Sequence, residues 1–245
     1  MLEVRNISKS FGGLRAVAGA SLKVSDGQIV SLIGPNGAGK TTLFAVISGF
    51  LMPDSGAVMF DGADINGQPA HSICQRGLVR TFQVVQPFAS LSVRENIAVG
   101  AHTRIASRAQ ALARADGVAA LVGMEAMLGQ SAGDLTIAGR KRLELARALA
   151  TEPKLLLLDE VMAGLNATEI AELVAVVRAI RDTGVTIFLI EHVMQAVMSL
   201  SDYTYVLNEG VMIAEGTPSQ VTSEPAVIEA YLGRGAADRL ASMAA

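Results

Sequence analysis

The sequence predicts an α/β protein in which a helical subdomain interrupts a core lobe of strands and helices. Three nearly continuous apolar runs, at residues 28–33, 155–158 and 185–190, are typical of strands that are covered on both faces. The stretch from about 87 to 151 is rich in Ala, Arg, Leu and Met and poor in β-branched runs, which favours helices. Strand–loop–helix units on both sides of a helical stretch indicate one structural module with two lobes.

The first third of the chain is predicted to hold strands and one helix. Residues 2–7 and 20–24 are short and β-rich, with polar side chains between the apolar ones, and residues 57–60 lead into an Asp-Gly turn. The apolar strand at 28–33 leads through a glycine-rich loop into a helix predicted over 40–48. Gly49 is expected to end that helix.

The helical stretch is expected to break at Gly100, Gly123 and Gly133, because glycine is unfavourable inside a helix. Beyond the strand at 155–158, Asn166 can cap a further helix, with Glu169 at capping-box spacing. The apolar residues that follow share one helical stripe and are predicted to be buried: Ile170, Leu173, Val174 and Val177.

The last quarter of the chain is predicted to return to the sheet. Gly184 should end the preceding helix, and the strand at 185–190 follows it. Residues 203–207 and 211–214, joined by Asn-Glu-Gly, are typical of a hairpin. After Leu232 the chain is small and Ala-rich, so we expect a frayed helix or disorder there.

Composition argues against several classes of protein. The 245 residues are 51% hydrophobic and 18% charged, which is unlike a disordered chain. Twenty Lys and Arg against 23 Asp and Glu give a net charge of −3, so we expect no nucleic-acid partner. The single cysteine, Cys74, rules out an internal disulfide and a Cys-based zinc site, and we interpret it as a small helical residue.

The sequence is strongly apolar, but it contains no predicted membrane-spanning segment. The mean hydropathy is +0.41, yet no stretch approaches the ~18–20 apolar residues that cross a bilayer. The first five residues, MLEVR, do not resemble a signal peptide. We therefore expect the chain to stay in the reducing cytoplasm.

A phosphate-binding loop is the most specific motif of the sequence. Residues 34–41, GPNGAGKT, fit G-x-x-x-x-G-K-[ST] without a mismatch and lie between a predicted strand and a predicted helix. Glycines let backbone N–H groups turn toward a phosphate, and the helix N-terminus adds its dipole. Lys40 is a point charge for the β- and γ-phosphates, the Thr41 hydroxyl can ligate Mg²⁺, and Thr42 can reach the α-phosphate. The predicted nucleotide-binding residues are Gly34, Pro35, Asn36, Gly37, Ala38, Gly39, Lys40, Thr41 and Thr42.

Two carboxylates supply the second half of a phosphate-transfer site. Asp159 and Glu160 come directly after the buried run of leucines at 155–158. Asp159 can hold Mg²⁺, and Glu160 can polarise the attacking water as a general base. Acidic residues often end strands for purely structural reasons, but beside a phosphate loop this pair predicts a catalytic function.

Six further segments match one family pattern. They are residues 80–83 (RTFQ), 143–149 (LELARAL), 163–166 (AGLN), 190–192 (IEH), 214–218 (AEGTP) and 231–233 (YLG). From about residue 2 to 233 the chain resembles ATP-binding cassette (ABC) proteins, and within them the ATPase subunit of branched-chain or hydrophobic amino-acid importers.

The resemblance implies a P-loop NTPase fold of the ABC ATPase type, with a mixed-sheet core lobe and an inserted helical subdomain. Residues 1–235 would form the ATPase domain, with the core lobe at 1–86 and 152–235 and the helical subdomain at about 87–151. Residues 236–245 would be a tail.

The resemblance assigns roles to three more residues. Phe11 matches the aromatic residue that stacks on adenine, although a core residue at a strand end is the ordinary alternative. Gln83 matches the glutamine that contacts Mg²⁺ and the attacking water and links the two lobes. His192 matches the histidine that contacts the γ-phosphate, whereas His71 and His102 match nothing and are interpreted as solvated.

The family's signature segment is altered here. Residues 135–139 read Leu-Thr-Ile-Ala-Gly where the family pattern is Leu-Ser-Gly-Gly-Gln. Thr136 keeps a hydroxyl, but Ala138 adds a methyl group where the family brings backbone against a γ-phosphate. The resemblance places Thr136, Ala138 and Gly139 in the nucleotide site of a partner chain. Asn166 replaces the aspartate common in the family's dimer-contact loop.

The resemblance also implies partners and a location. ATP hydrolysis would power import of branched-chain or related amino acids through a permease made of other polypeptides. Two cassettes, identical or paralogous, would face each other head to tail, and an extracytoplasmic binding protein would select the solute. The chain would be peripheral at the cytoplasmic face of the inner membrane. An apolar docking face is expected between Gln83 and Glu95, formed by Val84, Val85, Pro87, Phe88 and Leu91, unless these residues pack the helical subdomain.

Other functions compete with this one. A cassette ATPase acting in DNA repair or translation would generally carry two cassettes or a long coiled-coil insert, and this sequence has neither. A nucleotide-binding regulator would not need Asp159, Glu160 and His192 together. Importers of urea, amides or aromatic acids remain alternatives for the solute.

Overall fold

Ten strands lie in the part of the chain that the computed structural model describes, residues 1–82, 86–233 and 235–236. They form one six-stranded and one four-stranded sheet. The strands are β1 (Leu2–Phe11), β2 (Leu14–Val24), β3 (Ile29–Ile33), β4 (Ser55–Phe60), β5 (Ala63–Asp64), β6 (Leu78–Arg80), β7 (Leu155–Asp159), β8 (Thr186–Ile190), β9 (Tyr203–Asn208) and β10 (Val211–Gly216).

Nine α-helices accompany them within the same described ranges. They are α1 (Lys40–Ile47), α2 (Ala70–Arg76), α3 (Val93–Ala101), α4 (Arg108–Val122), α5 (Ile137–Ala150), α6 (Ala167–Asp182), α7 (Met194–Leu200), α8 (Pro218–Ser223) and α9 (Pro225–Leu232). None of these helices combines the length and the apolarity that crossing a bilayer requires.

The six-stranded sheet positions the candidate site. Its order is β10-β9-β3-β8-β7-β6, and all its neighbouring strands are parallel except β10 and β9. Every residue of β3, β7 and β8 is buried, which explains their unbroken apolar sequences. Because these three strands are adjacent and parallel, the segments that follow them emerge side by side at the carboxyl edge of the sheet.

The four-stranded sheet is antiparallel, in the order β2-β1-β4-β5. Its first two strands are longer than the sequence predicts, since they continue to Phe11 and from Leu14 and meet in a hairpin there. The added arms are largely exposed or half-buried and contain register shifts, so no regular alternation of apolar residues marks them.

Helices α3, α4 and α5 pack together within the stretch predicted to be helical, and apolar residues from all three join one buried cluster. The predicted break at Gly123 is confirmed, because this glycine has a φ of 71° and ends α4. Gly133 lies in a short 3₁₀ turn before α5. Helix α3 ends at Ala101, one residue beyond the predicted break at Gly100. A Cβ atom on Gly100 would come within 2.2 Å of the Arg147 carbonyl oxygen, so the missing side chain permits close packing of α3 against α5.

Several local predictions of the second half are confirmed. The Asn166 side chain accepts hydrogen bonds from the backbone N–H groups of Thr168 and Glu169 at 3.0 and 3.1 Å, which completes the capping box of α6. The residues of the predicted stripe are buried. The hairpin of β9 and β10 is present, with boundaries one or two residues beyond those predicted. Most of the predicted tail at 236–245 lies outside the described residues.

Candidate nucleotide-binding site

The phosphate loop joins β3 to α1, and two of its glycines have no substitute. Gly34 and Gly39 have φ values of 151° and 103°. A Cβ atom on Gly34 would lie 2.0 Å from the Leu207 carbonyl oxygen, and one on Gly39 would lie 2.2 Å from that of Ala16. Neighbouring backbone therefore fixes both positions as glycine, and the loop between them keeps its shape.

Lys40 lies under this loop. Its Nζ donates hydrogen bonds to the carbonyl oxygens of Gly34 and Pro35 at 2.7 and 3.0 Å, and the side chain is buried. Burial lowers the pKa of Lys40, while the nearby carboxylates of Glu160 and Asp159 act in the opposite direction. An anion bound in the loop would be a stronger partner for the ammonium group than two neutral carbonyls.

A cavity of about 570 Å³ opens over the loop, a size suited to a small-molecule ligand. Phe11 lies at one side of it and is 47% exposed, so the alternative of a buried core residue is wrong. Glu160 also lines the cavity. The other lining residues include most of the predicted loop and its flanks: Asn36, Gly37, Ala38, Gly39, Lys40, Thr41 and Thr42.

A second cavity, of about 610 Å³, lies on the other side of Glu160. His192 lines it, with Nδ1 3.9 Å from Oε1 of Glu160. Gly34 and Tyr231 line the same cavity. Partial burial raises the pKa of Tyr231, and the nearby backbone of Gly34 opposes the rise. Tyr231 belongs to the YLG segment at residues 231–233, and no role was predicted for it from the sequence.

Glu160 has an unusual backbone conformation. Its φ is 49°, in the left-handed region that non-glycine residues enter at a cost on the order of 1 kcal/mol. Its N–H donates to the Ile190 carbonyl oxygen at 2.9 Å, and its carbonyl oxygen accepts from Nζ of Lys141 at 2.9 Å. Contacts with β8 and α5 thus hold the turn that carries the candidate base.

Asp159 ends β7 and pairs with an arginine that the sequence analysis left without a role. Oδ2 of Asp159 accepts from Nη2 of Arg80 at 2.7 Å, and both side chains are buried, 1% and 8% exposed. In the described part of the chain, Oδ1 of Asp159 and Nε of Arg80 are buried without a hydrogen-bond partner. An arginine that ends a buried strand is the sequence signal that could have identified this pair.

Thr41, Arg80 and Asp159 line a third cavity, of about 710 Å³. A hydroxyl and an unpaired carboxylate oxygen are the hard oxygen ligands that Mg²⁺ prefers, so the residues present fit this ion. Across the described ranges no group of three or more His, Cys, Asp or Glu could hold a metal by itself. Substrate phosphates and water would therefore supply the remaining ligands.

Glu191 is a fully buried carboxyl group beside the candidate site. Its Oε1 accepts from the N–H of Met162 at 2.9 Å, so it joins the end of β8 to the segment that follows Glu160. Burial raises the pKa of Glu191. Glu191 belongs to the IEH motif at residues 190–192, and nothing local in the sequence shows which backbone group it contacts.

The altered signature segment begins α5. Thr136 is the N-cap, and its hydroxyl accepts from the N–H of Gly139 at 3.2 Å. Ile137 is 63% exposed and Ala138 is half-buried. As far as the described residues extend, neither cavity beside Glu160 has Thr136, Ala138 or Gly139 in its lining.

The predictions for Gln83, Val84 and Val85 lie outside the described residues. Helix α5 contacts both neighbours of this segment: Glu144 accepts from the N–H of Phe82, and Arg147 donates to the Gln86 carbonyl oxygen at 3.1 Å. Phe88 is 47% exposed, with the Arg147 guanidinium 4.9 Å from its ring centre. Pro87 and Leu91 are half-buried, and His71 and His102 are exposed.

Family models match two parts of the chain. Residues 17–163 match the model described as ABC transporter, and residues 211–237 match the one described as branched-chain amino acid ATP-binding cassette transporter. The chain belongs to the ABC transporter family. This confirms the family resemblance drawn from the motifs.

Relatives and solved structures agree with that membership. The chain is 42% identical to the high-affinity branched-chain amino acid transport ATP-binding protein BraF of Pseudomonas aeruginosa, over 95% of this chain and 98% of BraF. It is 39% identical to LivG of Escherichia coli, a protein described in the same words, with the same coverage. A crystal structure of an ABC transporter cassette in its ADP conformation superposes with a TM-score of 0.87 at 33% identity, over 96% of this chain and 99% of the other.

The predicted fold class, a P-loop ABC ATPase, is thereby confirmed. The chain is an ATP-binding and ATP-hydrolysing subunit of an ABC transporter, and so works in association with a membrane. The roles of individual site residues and the division into lobes remain predictions.

Proposed function

We propose that this chain hydrolyses ATP to energise the import of branched-chain or related amino acids through a separate permease. One observation carries the proposed ATPase site: Glu160 lines both the cavity over the phosphate loop and the cavity that contains His192. A candidate base thus faces the phosphate-binding atoms from the end of β7, which β8 separates from the strand that leads into the loop. The solute class is supported by what BraF and LivG transport and by the family model matched at residues 211–237.

The nucleotide would lie along the cavity over the loop. Backbone N–H groups of residues 36–39 and the ammonium group of Lys40 would hold the β- and γ-phosphates, and Thr42 would reach the α-phosphate. Phe11 would stack on adenine, since its ring is half exposed at the edge of the same cavity. Gly34 and Gly39 would keep the loop open by their close backbone contacts.

Thr41, Gln83 and Asp159 would hold Mg²⁺ with the phosphates. When bound, the ion neutralises charge on the β- and γ-phosphate oxygens. Thr41 and Asp159 line one cavity, and Oδ1 of Asp159 has no protein hydrogen bond among the described residues.

Glu160 would accept the proton of the attacking water, and Gln83 would help to position that water. His192 would donate a hydrogen bond to the γ-phosphate. Its Nδ1 lies 3.9 Å from the Glu160 carboxylate, so the two side chains can act on one substrate group. The contacts of Glu160 with Ile190 and Lys141 fix the backbone that presents the base.

A second cassette would complete the site. The Thr136 segment of the partner would close over the γ-phosphate, with Thr136, Ala138 and Gly139 as its contacts. This arrangement is supported by the exposure of Ile137 at the start of α5. The second cassette would be an identical chain or a paralogue. ATP binding would close the dimer, and product release would reopen it.

The remaining partners follow from the transport function. Permease subunits would dock on the cassette at the cytoplasmic face of the inner membrane, where this chain would be peripheral. An extracytoplasmic solute-binding protein would act on the permease and only indirectly on this chain. No nucleic-acid partner is proposed, in keeping with the net charge of −3.

The importer assignment is tested by reconstitution. The chain would be purified with the permease and second cassette that accompany it, and placed in vesicles together with the binding protein. We expect uptake of labelled leucine that requires ATP and is lost in the Lys40→Ala variant. ATP hydrolysis without uptake of any branched-chain amino acid would contradict the assignment and leave the ATPase intact.

A further inference from the structure

Arg80 and Asp159 form a buried ion pair at the predicted metal ligand. We propose that Arg80 is the resident counter-ion of Asp159, and that it weakens the dependence of nucleotide binding on Mg²⁺ by neutralising this carboxylate before the ion arrives. The inference rests on the proposed function, which makes Asp159 a ligand of Mg²⁺. It adds a positioning residue that touches the metal ligand rather than the substrate.

Only one nitrogen of the guanidinium and one oxygen of the carboxylate take part in the ion pair. Nη2 of Arg80 contacts Oδ2 of Asp159 at 2.7 Å, while Nε of the guanidinium and Oδ1 of the carboxylate have no partner among the described residues. A two-point contact, the stronger form of this interaction, is therefore absent between these two side chains. The unpaired Oδ1 is a buried anionic oxygen that can accept a cation without displacement of Arg80.

The guanidinium is also held by groups other than Asp159. The backbone of Arg80 belongs to β6 and pairs in parallel register with Leu157 of β7. The guanidinium carbon lies 6.0 Å from the ring centre of Phe50 and 5.6 Å from that of Phe82, and the two rings meet edge to face at 5.4 Å. These aromatic faces stabilise the cation by cation–π contact, so it stays in place when Asp159 binds a second cation.

Charge explains the expected effect. Without Arg80, Asp159 would be a buried carboxylate with no ion-pair partner beside the phosphates of ATP, and Lys40 would be the nearby cation that remains. Nucleotide without Mg²⁺ would then be repelled, whereas Mg²⁺ with nucleotide would bind a more negative site. The coupling between Mg²⁺ and nucleotide binding should therefore grow when Arg80 is neutralised.

The test compares two dissociation constants of a non-hydrolysable ATP analogue, one in EDTA and one in excess Mg²⁺, by calorimetry. For Arg80→Gln we expect the EDTA-to-Mg²⁺ ratio to rise about tenfold or more above wild type, because removing one partner of a buried ion pair is worth at least that factor. The matched control is Arg147→Gln, an arginine that lines the same 710 Å³ cavity and forms no ion pair with Asp159 within the described residues. Its ratio should equal that of wild type.

A merely structural role for Arg80 would weaken both affinities equally and leave the ratio unchanged, which would overturn the proposal. A second measurement needs no Arg80 variant, in case Arg80→Gln does not fold. Wild-type chain without nucleotide should bind Mn²⁺ only weakly at Asp159, and tight Mn²⁺ binding that Asp159→Asn removes would also overturn it. Failure of wild type to bind the analogue in either buffer would instead contradict the proposed function.

Discussion

The phosphate loop and the signature segment both lie at the start of a helix and are both predicted to contact phosphate, yet the chain constrains them differently. Gly34 and Gly39 of the loop each face a backbone carbonyl oxygen at which a Cβ atom would collide, at 2.0 and 2.2 Å. Ala138 of the signature segment already carries a methyl group, and its neighbour Ile137 is 63% exposed. Folding therefore fixes these two loop glycines, whereas no comparable collision fixes the residue at position 138.

The largest effect is expected at Glu160, which lines the cavity over the phosphate loop. Glu160→Gln should keep ATP binding and lower turnover by roughly 10²–10⁴-fold, the range typical of a lost general base. Phosphate release and nucleotide affinity would be measured on the purified variant. Glu152→Gln is a matched control, since Glu152 is an exposed glutamate that also has a left-handed backbone, with φ 58°. Turnover of Glu160→Gln within about threefold of wild type would remove Glu160 from the role.

The signature side is tested by mixing two inactive chains. Lys40→Ala removes the positive charge that would bind the phosphates. Thr136→Arg places a bulky cation where the phosphate in the partner's site should lie. Each variant alone should therefore be nearly inactive. Mixed, they can form one interface with an intact Lys40 facing an intact Thr136, and activity should return with rising total concentration. Thr136→Ser keeps the N-cap hydroxyl and serves as the control.

The outcome that contradicts a shared site is specific. A Thr136→Arg chain that hydrolyses ATP at the wild-type rate, independently of dilution, would mean that one chain contains the whole site. The comparison between the two regions would then fail, because the signature segment would have no partner to constrain it.

A smaller effect separates the two regions by stability. Gly34→Ala should lower the free energy of unfolding by about 2 kcal/mol or more, because strained φ and the close Leu207 carbonyl both oppose a side chain. Ala138→Gly, at the start of α5, should change it by less than about 1 kcal/mol. Urea titration of both variants measures the difference. Equal losses in the two variants would show that the loop is no more constrained than the signature segment.

Sequence reasoning succeeded where the determinants are local. The phosphate loop, the capping box at Asn166 and the burial of its helix all follow from residues within a few positions of one another. The packing reason for Gly100 could not be predicted from the sequence, because it is the backbone of Arg147 on a different helix. The hairpin around Phe11 was too short in prediction, since its exposed arms lack an apolar pattern.

The missed site residues have long-range causes as well. Arg80 and Asp159 are 79 positions apart and meet because β6 pairs with β7. Tyr231 reaches Gly34 from the last described helix. No spacing rule connects such residues, and a motif names them only when the family pattern already assigns them a function.

The smallest expected effect concerns Glu191, which lies fully buried next to His192 and accepts from the Met162 N–H. Its pKa is raised in the folded chain because burial disfavours the carboxylate. The folded state therefore binds more protons than the unfolded state once the pH rises above the ordinary value near 4.5. The contribution of Glu191 to stability is therefore fully present below that value and is lost as the pH rises toward the folded pKa.

Glu191→Gln keeps an acceptor for Met162 and cannot ionise, so it should remove this loss. Urea titrations between pH 5 and about 8 should show the stability of the variant gaining on wild type as the pH rises. If the free energies of unfolding of variant and wild type instead change with pH in parallel, Glu191 ionises in the folded chain without loss of stability. Its contact with the segment after Glu160 would then be an ordinary hydrogen bond of a charged group.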